Sequence, residues 1–241
     1  MKTIVKSTLM IMTSALFVSC GNNARQTANT EPQEPEKLIA LSFDDGPNLV
    51  TTPKVLDVLE ENGIKASFFL IGQNINDESA QMIEREKALG CDIENHSFTH
   101  SYMSAFTEEQ IKDEIAKTTA LIKHYAGEEP KFFRPPYINH NDLMHQAIGL
   151  TFICGLGCND WEADVTAEQR AASVIANAAD GQIVLLHDFE GNDNTVEALK
   201  TIIPELKAQG FKFVTVPELF EAKGIALEPN NGKIYTNVLT D

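Results

Sequence analysis

From Leu38 onward, short apolar runs alternate with longer amphipathic stretches, and this alternation restricts the fold more than any other feature of the chain. The runs Leu38–Phe43, Ala66–Ile71, Lys131–Phe133, Thr151–Cys154, Ile183–Leu186 and Phe211–Thr215 predict strands, and Cys91–Glu94 predicts a weaker one. Helices are predicted between them, near 52–62, 77–89, 107–125, 141–148, 166–179 and 194–208. The helix over 107–125 has the clearest signal: Thr107 and Gln110 form a capping box, and Ile111, Ile115 and Ile122 share one face. Gly63, Gly90, Gly181 and Gly210 stand where helices should stop. Repeated strand–helix alternation points to a parallel α/β domain, either a closed or distorted (β/α) barrel or an open doubly wound sheet. The stretch Ile225–Asp241 reads as an edge strand or a tail.

The first residues differ in composition. Lys2 and Lys6 precede an apolar run from Leu9 to Val18, too short to span a bilayer and suited to a secretory signal. The run ends in Leu16-Phe17-Val18-Ser19-Cys20, which resembles a bacterial lipobox. That resemblance implies cleavage before Cys20 and lipidation of its thiol; an ordinary signal peptide cut nearby is the alternative. Residues 1–19 are therefore expected to be a signal peptide, 20–36 a flexible polar tether and 37–241 the folded domain, exported and lipid-anchored in the cell envelope. The chain carries net charge −16, and losing Lys2 and Lys6 takes it to about −18. Such a surface repels nucleic acid and anionic lipid, so the lipid is the only membrane contact expected. Cys91, Cys154 and Cys158 remain, an odd number that makes a poor disulfide framework. Cys154-x3-Cys158 could be a disulfide or two soft metal ligands, but buried small apolar residues is the preferred reading. A monomer is expected.

In parallel α/β domains functional side chains gather at the C-terminal ends of strands, and five segments place polar residues there. Asp44 and Asp45 follow an apolar strand and precede Gly46-Pro47. Adjacent carboxylates repel unless a cation or proton separates them, so one can ligate a metal while the other handles protons. A solvated turn or helix cap also explains them. His96 and His100, at i and i+4, can face one metal from a helical turn, or can be surface or capping histidines. Two imidazoles and a carboxylate make a familiar open metal set, with zinc the usual occupant. Arg134, followed by two rigid prolines, could hold a carboxylate through two hydrogen bonds or pair with any of the excess acids. Trp161, the only tryptophan, offers a flat face for a sugar ring or ordinary packing. His187 ends an apolar strand before Asp188 and suits a general acid or a capping role.

Taken together and in this order, Ser42–Pro47, His96–His100, Arg134–Tyr137, Asp160-Trp161 and Leu185–His187 resemble the motifs of the NodB-homology polysaccharide deacetylases, carbohydrate esterase family 4. Ala66–Gly72 also looks like the second strand of that family. The resemblance covers about residues 37–220. It implies a distorted (β/α) barrel of about seven parallel strands, a divalent metal that is usually Zn2+, and hydrolysis of acetyl groups from an acetylated polysaccharide or oligosaccharide. It also implies roles: Asp45, His96 and His100 as metal ligands, Asp44 as general base held by Arg134, and His187 as general acid. The Tyr137 backbone N–H would stabilise the oxyanion, Leu185 would line the acetyl-methyl pocket and Trp161 would meet substrate. One position departs from the pattern. The family often has an aspartate four residues before the tryptophan, tuning the catalytic histidine, and here that position is Gly157. Asp160 or Asp164 could substitute. A catalytically weak glycan-binding lipoprotein and a related hydrolase of small non-peptide amides are the competing expectations.

Overall fold

The computed structural model describes residues 36–239. The expected signal peptide, the lipidation site Cys20 and all but the last residue of the expected tether lie outside the described residues. Among the described residues nine strands are present: β1 (Lys37–Asp44), β2 (Ser67–Leu70), β3 (Asp92–Asn95), β4 (Phe132–Phe133), β5 (Thr151–Ile153), β6 (Leu156–Gly157), β7 (Gln182–His187), β8 (Phe211–Phe213) and β9 (Ile234–Tyr235). The helices are α1 (Thr52–Asn62), α2 (Ala80–Ala88), α3 (Glu108–Ala126), α4 (Asp142–Ala147), α5 (Ala167–Ala176), α6 (Asp193–Ala208) and α7 (Val216–Ala222). None of these helices is long and apolar enough to cross a membrane.

The strands run parallel in the order β6-β7-β1-β2-β3-β4-β5-β9. One edge of β1 forks: Lys37–Ile39 pair with β8, and Ser42–Asp44 pair with β2. No ladder joins β6 to β9 among the described residues, so the barrel is distorted and incompletely closed. Past β9, the chain crosses to the start of β7, where the Val238 N–H donates to the Gly181 carbonyl at 2.8 Å. Only glycine allows this approach, because a Cβ at 181 would stand 2.7 Å from the Val238 carbonyl oxygen.

The seven strands predicted from sequence are all present, and β6 and β9 are additions of two residues each. Neither lies in an apolar run: Leu156 stands between two glycines, and Ile234-Tyr235 lies between Lys233 and Thr236. The uncertain C-terminal stretch thus supplies an edge strand, β9, paired with β5. Helix α7 is also an addition, started by a capping box between Thr215 and Glu218. The capping box expected at Thr107 and Gln110 starts α3.

Alternation along the strands separates two cores. Ile39, Leu41 and Phe43 of β1 and Val184 and Leu186 of β7 join the core under the helices. Ala40 and Ile183 face the barrel interior with Phe69, Phe132 and Ile153. Helix α7 sends Val216, Leu219 and Phe220 into this inner core. The same alternation keeps Ser42, Asp44, Leu185 and His187 on the inward face, and the β1–β7 register sets Asp44 beside His187.

Candidate active site

A cavity of about 470 Å³ lies at the C-terminal ends of the strands. Asp44, Asp45, His96, His100, Tyr137, Trp161, Leu185 and His187 all line it. Arg134 lies beneath, fully buried. Every site residue expected within the described part of the chain is therefore at or against one cavity.

Arg134 is placed by the adjacent ends of β3 and β4, where its N–H donates to the Asn95 carbonyl at 3.1 Å. Its Nη1 donates to Asp44 Oδ1 at 2.5 Å, and its Nη2 donates to Ser42 Oγ at 2.8 Å. The guanidinium also stacks 4.1 Å from the centre of the Phe69 ring. The expected two-bond clamp on one carboxylate is thus split between Asp44 and Ser42. A buried charge of this kind is tolerable only when paired, and Asp44 is buried as well. The second Asp44 oxygen, Oδ2, lies 3.7 Å from His96 Nε2 and faces the cavity.

Asp45 Oδ1 stands 3.4 Å from His96 Nε2 and 3.3 Å from His100 Nε2. One ligand atom from each of these three residues lies within 4.8 Å of the others. Asp45 Oδ1 is buried without a hydrogen-bond donor. His96 Nδ1 meets the Arg134 carbonyl at 2.7 Å. That contact fixes Nδ1 as the protonated nitrogen and leaves the Nε2 lone pair pointing at Asp45. A buried, undonated carboxylate oxygen facing two imidazole nitrogens fits a divalent cation. Burial works to raise the Asp45 carboxyl, but a charged His96, carrying a second proton on Nε2 that faces Asp45, outweighs it with help from His187 and His100 and holds it down at about 2. Burial works against charging His96, yet the Asp44 and Asp45 carboxylates raise it; burial and neighbouring His96 lower His100.

The two histidines do not share a helical turn, contrary to expectation. They bracket a loop in which Ser97 and His100 take left-handed backbone conformations, with φ of 66° and 56°. Glu114 of α3 clamps this loop, accepting from the N–H groups of Phe98 and Thr99 at 2.9 and 2.8 Å. Asp45, Tyr137, Ile138 and Asn159 are also left-handed. Such non-glycine conformations are costly and persist where surrounding contacts over-determine them. Six of the seven described residues of this kind lie in loops at this end of the barrel.

His187 resolves the doubt raised by Gly157. Its Nδ1 meets Asp160 Oδ1 at 2.8 Å, and its backbone N–H donates to Asp160 Oδ2 at 2.7 Å. Thr195 Oγ1 donates to the same Oδ2 at 2.9 Å, and Arg170 Nη1 donates to Thr195 Oγ1 at 2.9 Å. Asp160 is fully buried, whereas Asp164 is exposed. Burial opposes the charging of His187, but the Asp160 hydrogen bond and charge, with Asp44 and Asp45, raise its pKa to about 9. Gly157 instead lies under Trp161, where a Cβ would meet the ring at 3.3 Å.

Trp161 is 48% exposed and its ring meets that of His187 edge-on at 5.6 Å. Tyr137 is exposed too; its ring lies 4.7 Å from that of His100 and stacks on Tyr102 at 4.1 Å. Leu185 forms a buried apolar wall of the cavity. Cys154, partly buried, lines the cavity as a free thiol. Cys91 and Cys158 are buried and free, and burial pushes both thiols up to about 12, so they behave as small apolar groups.

Asp188, present in the sequence motif but given no role there, lies under the Asp44–Pro47 turn. Thr52 Oγ1 donates to its Oδ2 at 2.5 Å, and a Cβ on Gly46 would stand 2.9 Å from that oxygen. Burial, then the Asp45 and Asp44 charges, raise its pKa to about 7.

Comparison with known proteins agrees with this geometry. Residues 31–152 match the family model described as polysaccharide deacetylase. The chain is 51% identical over 219 residues to a bifunctional xylanase/deacetylase of Pseudobutyrivibrio xylanivorans, covering 90% of this chain but only 35% of that protein. It therefore spans about a third of that relative's length. It is 36% identical over 189 residues to a peptidoglycan-N-acetylglucosamine deacetylase of Bacillus cereus, covering 76% of this chain and 68% of that one. A solved structure of a family 4 acetyl xylan esterase from Clostridium thermocellum, in complex with a cobalt ion, superposes with a TM-score of 0.82. That match has 46% identity and covers 84% of this chain and 99% of the other. With the motif residues converging on one cavity and relatives of this similarity, the chain belongs to the polysaccharide deacetylase family.

Proposed function

We propose that this protein is a metal-dependent hydrolase that removes N- or O-linked acetyl groups from an extracytoplasmic polysaccharide. The observation that carries this reading is the pairing of Asp44 and His187 across β1 and β7, beside the cluster of Asp45, His96 and His100. Asp45, His96 and His100 would hold the cation, and zinc suits a set of two imidazoles and one carboxylate. Such an ion supplies positive charge that acidifies a water and polarises an acyl carbonyl.

The chain's own residues do the rest. Arg134 and burial hold Asp44 in place as the base that takes a proton from the attacking water. Leu185 receives the acetyl methyl, and the backbone N–H of Tyr137 donates to the developing oxyanion. His187, kept protonated by Asp160, gives its proton to the departing sugar oxygen or nitrogen. Trp161 and Tyr137 supply exposed aromatic faces against which a sugar ring can lie. The likeness to a xylanase/deacetylase and an acetyl xylan esterase supports an O-acetylated glycan, and the likeness to a peptidoglycan deacetylase supports an N-acetylated one. The contact of Asp160 with His187 supports the enzyme over a catalytically weak glycan binder, because it supplies the aspartate partner that Gly157 lacks.

Zinc-loaded protein should release acetate from acetylated glycans. Asp44→Asn should lower kcat by roughly 10²- to 10⁴-fold, and chelation should abolish turnover until metal is restored. Acetate release that survives both treatments would refute the reading. We also propose export with lipid attachment at Cys20. Cys20→Ser should then move the protein from the membrane fraction to the soluble one, and an unchanged distribution would exclude the anchor.

A further inference from the structure

Two arginines are buried among the described residues: Arg134, under the base Asp44, and Arg170, on α5. Arg134 meets its carboxylate directly, whereas Arg170 meets none. Its side-chain contacts among the described residues all go to neutral acceptors. Nε donates to the Val165 carbonyl at 2.9 Å, and Nη2 donates to the Glu162 carbonyl at 3.0 Å. Nη1 donates to Asn192 Oδ1 at 2.6 Å and to Thr195 Oγ1 at 2.9 Å. A buried guanidinium is costly unless an opposite charge stands close. Thr195 provides the route to one, because its hydroxyl donates in turn to Asp160 Oδ2 at 2.9 Å.

The contacts of Arg170 converge on His187. The Glu162 and Val165 carbonyls belong to the loop that carries Asp160 and Trp161. Asn192 donates from Nδ2 to the His187 carbonyl at 2.9 Å. Thr195 leads through Asp160 to His187 Nδ1. The ring and the backbone of His187 are thus held by groups that share one guanidinium. The intervening hydroxyl matters chemically. Two buried opposite charges can cancel if the Nδ1 proton passes from the imidazolium to the carboxylate. That shift leaves a neutral imidazole, whose remaining N–H is a far weaker acid. A carboxylate that already accepts from a hydroxyl polarised by a cation draws less on that proton. Because the cation acts from one hydroxyl away, Asp160 Oδ1 stays free for His187.

We propose that Arg170, acting through Thr195, is a positioning residue for the acid: it keeps Asp160 a carboxylate and His187 the imidazolium that protonates the leaving atom. In the step it serves, the His187 Nε2–H bond breaks and the C–O or C–N bond to the sugar breaks. The electron pair of that second bond takes the proton as a new O–H or N–H, and the Nδ1 proton stays on His187. The acid role rests on the deacetylase reading above; the hold of the relay on the Asp160–His187 pair does not.

Thr195→Val keeps the side-chain shape and breaks the relay at its middle link, and Arg170→Met breaks it at its end; the valine variant decides if the methionine variant does not fold. In zinc-loaded full chain, kcat is compared for an acetylated sugar, whose leaving atom needs a proton, and an activated aryl acetate, which departs as a phenolate without one. Thr195→Val should lower the first roughly tenfold and leave the second near its native value. In an Asp160→Asn background the same change should cost little more. The second measurement needs no substrate: the proton NMR resonance of the His187 Nδ1–H, assigned by its absence in His187→Gln, should move downfield in Thr195→Val as Asp160 draws harder on that proton. Equal losses on both acetates, additive losses in the double variant, or an unmoved resonance would overturn the proposal. A downfield shift without acetate release from any substrate by the native protein would uphold the relay and reject the deacetylase reading instead.

Discussion

At His187, burial and charge pull in opposite directions, and Asp160 decides the outcome by raising the imidazole to about 9. An acid must be protonated to act, so this residue is ready at neutral pH and is lost as pH rises through about 9. Asp160→Asn should shift the alkaline limb of the kcat/KM profile to lower pH, read from initial rates across pH 6–10 or so. His187→Ala should lower kcat by roughly 10²- to 10⁴-fold, and more on an acetyl amide than on an acetyl ester, because an amine leaves poorly without a proton. Equal losses on both would remove His187 from the acid role. The linkage has the corresponding sign for stability. The folded value lies above the ordinary one of about 6.5, so the pair stabilises fully below that pH and the contribution fades as pH passes about 9. Asp44, Asp45, Arg134 and His187 stood out in the sequence as polar groups at the ends of apolar runs, and the family resemblance rather than the spacing supplied their roles. The partner of His187 did not stand out, because the aspartate stands directly before Trp161 and linear spacing does not reveal which way a loop side chain turns.

Among the elements, β1 carries the heaviest functional load, since Ser42, Asp44 and the turn after it anchor both sides of the site. Gly46 allows the turn to pack on Asp188, whose oxygen is held by Thr52 and has no open space to move into. Gly46→Ala should therefore displace the two aspartates; a shift of about 1 Å costs on the order of 10²-fold in rate. The expected signature is a folded protein by circular dichroism with kcat reduced far more than stability, and retained kcat would show that the turn adjusts freely. The seven strands that coincide with apolar runs and the long capped helices were readable from pattern. Helix α7 carried a readable signal too, the Thr215–Glu218 capping box with Pro217 near its start, but its seven residues gave too little amphipathic repeat. The loop bearing His96 and His100 resembled a helical turn by spacing alone. Its real shape depends on Glu114, a residue of α3 eighteen and fourteen positions downstream of the two histidines, and local sequence carries no sign of that clamp.

For the whole molecule, a cation on Asp45, His96 and His100 would tie the ends of β1 and β3 together. A ligand that binds only the folded state at about 100 times its Kd stabilises by about 2.7 kcal/mol. For a domain of this size that corresponds to a rise in Tm of roughly 5–10 °C. Zinc should produce this rise in the native protein but not in His100→Ala, by calorimetry and independently of any substrate; an identical shift in both would place the ion elsewhere. The class of fold was legible from strand–helix alternation, whereas the incomplete closure was not, because it depends on two-residue strands and on the return of the chain past β9. The register of β1 against β7 has a further consequence. Side chains alternate between faces, so sliding one strand by a single residue would turn either Asp44 or His187 outward and swap a core residue for a polar one. Correct assembly of the barrel and assembly of the reaction centre are therefore the same event. Acetate released per mole of soluble protein would then serve as a direct gauge of how much of a preparation, or of a library of variants, has found its native strand alignment.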